Sequence, residues 1–114
     1  MDKKSIFKVE VYHCDGAKYF SVTNTFNSAL NELERIICNS QTLRLFGAYS
    51  VFITECKFGK SGVLVSKVVK NTYSISLFSE FNLTLDVHQF HTIAMDLIAK
   101  KNKIEAANRG EIYL

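Results

Sequence analysis

Chemistry in a chain of this kind would have to come from its three histidines, three cysteines and clustered lysines. His88 and His91 stand three residues apart, close enough on one helical face to share a metal, and His13-Cys14 offers two further ligand types. Structural zinc sites carry paired Cys or Cys/His spacings, however, and the H-e-x-x-H arrangement of helical zinc enzymes is absent, so no metal or cofactor is expected. A cysteine nucleophile needs a lowered thiol pKa and a positioned base. Cys38 ends an apolar helical stripe and Cys56 lies within a strand, so both read as small core residues. Cys14 sits beside Asp15-Gly16 at a turn and reads as the more exposed thiol, next to a carboxylate that disfavours its anion. Gly59-Lys60-Ser61 has the ending of a phosphate loop, but Thr54 stands where the leading glycine belongs and strands flank it on both sides, which makes it a hairpin turn. Asp86 is explained by capping and Asp96 and Glu105 by a polar helix face, leaving no acid/base pair. No enzyme is expected.

One charge asymmetry remains. Residues 57–79 hold Lys57, Lys60, Lys67 and Lys70 and no acidic residue, giving +4 there against +3 for the whole chain. With Phe58 and Tyr73 nearby, this basic hairpin suits an acidic protein surface or a nucleic-acid backbone. Lysines on strand edges also deter edge-to-edge aggregation with no ligand involved. The chain has only three arginines, none inside the segment, so base-specific reading of DNA is disfavoured.

The elements that must position these residues follow from periodicity. Phe7, Val9 and Val11 alternate with Lys8 and Glu10, and Asp15-Gly16 turns the chain into a second strand over Tyr19 to Thr23. From Phe26 the period lengthens: Phe26, Ala29, Leu30, Leu33, Ile36 and Ile37 form one apolar stripe, with Thr25 or Asn27 as N-cap. Tyr49 to Phe58, Val63 to Val69 and Tyr73 to Phe78 read as three strands of an antiparallel meander, broken at Gly59-Lys60-Ser61-Gly62 and at Asn71-Thr72. The stretch from Phe81 to Leu85 fits a short strand or a loop equally well. Asp86-Val87-His88-Gln89 has the form of a capping box ahead of Val87, Phe90, Ala94, Leu97 and Ile98 at helical spacing, and the helix runs past Lys100, Lys101 and Lys103 to a stop near Gly110. The tail from Glu111 to Leu114 is short enough to dock or to pair with an edge.

The α-β-β-β-α portion resembles the order of double-stranded-RNA-binding domains, whose second helix opens with basic residues. Here Lys100, Lys101 and Lys103 fall more than ten residues after Asp86, so that family is not carried over.

The expected fold is therefore a single α+β domain over residues 1–114, an antiparallel sheet of four to five strands in the order β-β-α-β-β-β-α with two helices on one face. At 114 residues, 47% hydrophobic and 22% charged, the chain can bury one core and is neither disordered nor a coiled coil. No apolar run approaches the roughly 18 residues that span a bilayer, the N-terminus lacks the apolar stretch of a signal peptide, and three unpaired-looking cysteines suit a reducing compartment, so the expected location is cytoplasmic. The Asn82-Leu83-Thr84 tripeptide matches a glycosylation acceptor with nothing else to suggest secretion.

The expected function is a small non-catalytic module that binds another macromolecule, most readily a protein, through the open sheet face, an unpaired strand edge or the basic hairpin, as a regulator or inhibitor of the kind carried by phages and mobile elements. Its contact residues are taken as Lys57, Lys60, Lys67, Lys70 and Tyr73. Nucleic-acid binding by the same hairpin is the first alternative, with Lys100, Lys101 and Lys103 in support. A small metal- or Cys/His-dependent enzyme around His88, His91 and Cys14 is the second. Exposed apolar positions such as Tyr49, Phe52 or Phe78 would also support a homodimer through sheet faces or edges.

Overall fold

The computed structural model describes residues 5–14, 16, 18–39, 47–58, 67–79 and 86–110. Strand β1 (Ser5–His13) and strand β2 (Lys18–Thr23) precede helix α1 (Phe26–Asn39). Strands β3 (Gly47–Phe58) and β4 (Lys67–Ser79) follow, then helix α2 (Val87–Asn108). The strands form one antiparallel sheet in the order β2-β1-β3-β4. This is the expected α+β architecture with both helices on one face.

Local chemistry sets the element ends. At the β1–β2 turn the Gly16 amide donates to the His13 carbonyl at 2.9 Å, with Gly16 at φ +101°, a conformation glycine adopts without a Cβ penalty. Thr25 caps α1: its hydroxyl oxygen accepts from the Ser28 amide at 3.0 Å, and its carbonyl accepts from Ala29. A reciprocal capping box starts α2, with Gln89 N donating to Asp86 Oδ1 at 2.8 Å and Asp86 N donating to Gln89 Oε1 at 2.9 Å. Gly110, at φ +86°, closes the helix by donating to the Ala107 carbonyl.

The core lies between the helices and one side of the sheet. Phe7, Val9 and Val11 of β1, Tyr49, Val51 and Ile53 of β3 and Tyr73 of β4 are all buried there. They meet Phe26, Ala29, Leu30, Leu33, Ile36 and Ile37 of α1 and Phe90, Ile93, Ala94 and Leu97 of α2. Phe26 anchors the junction: its ring packs edge-on against Phe7 at 6.0 Å and Tyr73 at 5.3 Å, and Lys101 Nζ lies 5.2 Å over it.

Two expectations change in detail. Residues 67–79 form one strand, so the break placed at Asn71-Thr72 is absent: Thr72 pairs with Thr54, and Asn71 pairs with Glu55 while its side-chain amide donates to Glu55 Oε1 at 3.1 Å. The irregularity sits one residue earlier. Glu55 faces Asn71 and Cys56 faces Val69, which leaves Lys70 as the extra residue of a β-bulge. Because side chains alternate with period two, that one-residue insertion sends Val69 to the side away from the helices. Val87, expected in the second helix's apolar stripe, is exposed, and Ile93 takes a core position instead. Residues 63–66, 81–85 and the tail 111–114 lie outside the described residues.

Candidate functional site

Among the described residues, those singled out by charge and chemistry do not converge. Lys57 is half-buried near the end of β3, and Lys70 is exposed in the bulge of β4. Lys67 opens β4, with its side chain outside the described part, and Lys60 lies outside the described residues altogether. Tyr73 is only 1% exposed and packs on Phe26, so its ring belongs to the core and is no surface contact. Burial and the nearby carboxylates of Glu55 and Glu105 push its phenol up to about 12.

Two of the three lysines of α2, Lys100 and Lys101, face carboxylates on their own helix. Lys100 Nζ lies 3.2 Å from Asp96 Oδ2 and also donates to the Ser74 carbonyl of β4. Lys101 Nζ lies 2.9 Å from Glu105 Oε1, and that contact, aided by the charges of Arg109 and Lys70, holds the Glu105 carboxyl below its usual range.

His88 and His91 are both exposed on the first turns of α2. Among the described residues, no three His, Cys, Asp or Glu side chains gather closely enough to hold a metal ion. Cys14 is exposed at the end of β1, its amide donating to the Ala48 carbonyl and its Sγ 3.9 Å from Nε2 of the adjacent His13. The His13 imidazole is buried beside the Tyr49 ring at 4.7 Å. Cys56 is buried and Cys38 is half-buried, where burial and the Glu34 and Asp86 carboxylates push its thiol upward.

Two helices with one apolar stripe each are expected to leave the opposite sheet face to solvent or a partner; what sequence reasoning missed is which side chains line that face. β2 places Lys18, Phe20 and Val22 there, β1 Lys8, Glu10 and Tyr12, β3 Ser50, Phe52 and Thr54, and β4 Thr72, Ser74 and Ser76. Phe20 is 62% exposed, Val22 49% and, beyond the bulge, Val69 61%. The half over β2, β1 and β3 is aromatic and aliphatic: Tyr12 meets Phe52 edge-on at 5.8 Å, and Lys8 lies 5.9 Å over Phe20. The half over β3 and β4 is lined by small hydroxyl side chains. Charge on the face is largely balanced, since Lys8 Nζ is 3.5 Å from Glu10 Oε1 and the Tyr12 hydroxyl donates to the same carboxylate. That hydrogen bond, with burial and the carboxylate charge, raises the Tyr12 phenol above its ordinary pKa.

Of the apolar positions considered for a homodimer, Phe52 is half-buried on this face, Tyr49 is 1% exposed in the core, and the side chain of Phe78 lies outside the described part. The alternation of Phe20 and Val22 with Tyr19 and Ser21 is visible in the sequence. What it does not carry is the strand order that puts β2 at an edge.

Among the described residues, no helix is long and apolar enough to cross a membrane. Comparison with known proteins finds no matching family model, no similar curated protein and no similar solved structure.

Proposed function

We propose that this chain is a small non-catalytic module that binds another protein through the face of its sheet opposite the two helices. The observation that carries this reading is the placement of Phe20, Val22 and Val69, each about half exposed or more, on the one face that neither helix covers. Phe20 and Val22, with Tyr12 and Phe52 on the neighbouring strands, make the apolar part of that face, and Val69 adds a second apolar point at its β4 edge. Contiguous exposed apolar area marks an interaction surface more often than residues scattered singly. Lys18 stands exposed on the same face as Phe20 and Val22, so the partner it suits has an apolar patch with acidic character at its rim. A module of this size acts by occupying its partner's surface, in keeping with a regulator or inhibitor.

The test compares tagged wild-type protein with Val69→Asp and with Met95→Lys, a substitution of an exposed residue on α2. Quantitative co-purification from source cells is followed by reconstitution from purified components. A protein recovered by wild type and Met95→Lys, lost with Val69→Asp and rebound in the purified system, supports the reading. Equal recovery by all three, or no partner at all, overturns it.

A further inference from the structure

The two edges of this sheet are unequal. β4 carries two devices that discourage a further strand: the bulge at Lys70 breaks its regular ladder, and Lys100 Nζ occupies the main-chain carbonyl of Ser74. β2 has neither among the described residues. It is regular from Lys18 to Thr23, pairs there with β1, and carries Phe20 and Val22 as neighbouring exposed apolar side chains.

We propose that β2 pairs antiparallel with β2 of a second copy of this chain, about a two-fold axis at Ser21 that joins the two sheets edge to edge. With Ser21 opposite Ser21 of the second copy, Phe20 of each chain lies opposite Val22 of the other, and four exposed apolar side chains cover one another on the face opposite the helices. Charge favours the same arrangement. Lys18, the only charged residue of β2, stands at the strand's first position, so the antiparallel pair holds the two ammonium groups about 20 Å apart, well beyond a Debye length of roughly 8 Å. A parallel pair would set them side by side. On the helix side, Glu32 of α1 accepts from Ser21 at 2.8 Å and is itself paired with Arg35 at 2.9 Å, so that charge beside β2 is neutralised within each chain.

The area limits the strength. A six-residue edge about 20 Å long, on a molecule 20 Å across its shortest axis, offers roughly 400 Å² per chain, about half of what a standard stable interface buries. The dimer is therefore a weak one that exchanges with monomer. Its two-fold axis runs perpendicular to the sheet, so the two faces opposite the helices lie side by side as one eight-stranded surface. The dimer covers Phe20 and Val22, which the protein-binding reading also uses, and leaves Val69 at the far edge free, so Val69→Asp and Val22→Lys separate the two readings.

Sedimentation equilibrium of the full chain from about 10 µM to 1 mM tests it, with circular dichroism to confirm that each variant folds. The mass is expected to rise with concentration toward twice the 13.0 kDa of one chain, and Val22→Lys is expected to hold it at one chain throughout. Val69→Asp, which tests the protein partner above, and Met95→Lys should leave the self-association unchanged. A monomer at 1 mM, or a dimer lost with Met95→Lys and kept with Val22→Lys, overturns the proposal. Register is read by oxidative cross-linking in a Cys14→Ser background. Phe20→Cys mixed with Val22→Cys should yield a linked dimer that neither yields alone, and linkage of Phe20→Cys to itself overturns the axis at Ser21.

Discussion

At the scale of single residues, burial and neighbours set what titrates and what reacts. Tyr73 holds a phenol inside the core, and deprotonating it there means placing an anion among apolar rings and near the carboxylates of Glu55 and Glu105. Its pKa is about 12 in the folded chain against 10.0 for the ordinary group. A raised folded value means that the unfolded state ionises first, so the stability contribution is complete below pH 10 and is lost as the pH climbs from 10 toward 12. Urea unfolding of wild type should weaken across that window by roughly 2 kcal/mol more than that of Tyr73→Phe. Parallel curves for the two proteins would show that the phenol does not carry the effect. The thiols separate in the same way: Cys14 is exposed, Cys38 is half-buried with its thiol pushed up, and Cys56 is buried. An aromatic disulfide reagent should therefore modify one thiol rapidly in native protein, with that phase absent from Cys14→Ser and the buried Cys56 reacting on unfolding.

Elements differ in how openly the sequence declares them. The stripe of α1 was legible because six apolar residues repeat at three- and four-residue steps, and every one of them is buried. The start of α2 was legible because Asp86 and Gln89 have the spacing at which each side chain reaches the other's backbone amide. Asp86→Ala should thus cost about 1 kcal/mol, a fall of roughly 4 °C in Tm by calorimetry, whereas Asp86→Asn should recover most of it. An unchanged Tm would mean that packing of Phe90 and Ile93 alone fixes where the helix starts. β4 was less legible. Asn71-Thr72 has the composition of a turn, but Asn71 bonds to Glu55 across the ladder, and tertiary pairing overrides the local preference. A bulge leaves no composition signal of its own, so the outward position of Val69 emerges only once β3 and β4 are in register. The same limit hid which residues line the open sheet face, though the one-sided apolar stripes of the helices already implied such a face. Lys57 and Lys70 stand out by charge, whereas Phe20 and Val22 become a surface only through the strand order β2-β1-β3-β4.

At the scale of the whole molecule, two layers with one core leave a sheet face and a basic hairpin as rival binding surfaces, and salt distinguishes them. Each phosphate neutralised by a lysine contributes about 0.9 to the slope of log affinity against log salt. A backbone tracker using Lys57, Lys60, Lys67, Lys70 and Lys103 would show a slope of magnitude about 4 to 5, and so lose several hundred-fold in affinity between 50 and 200 mM salt. Lys100 and Lys101 add little, because Asp96 and Glu105 already neutralise them at 3.2 and 2.9 Å. Burial of Phe20, Val22 and Val69 against an apolar patch depends on area instead, and that contribution weakens little over the same salt range. The protein-binding reading therefore predicts that the chain leaves heparin by about 150 mM salt and binds a labelled RNA or DNA duplex too weakly to titrate there, while its protein complex loses no more than a few-fold in affinity. A duplex affinity that survives at 150 mM, falls with the steep slope above and collapses in Lys57→Ala/Lys70→Ala would move the function from the face to the hairpin.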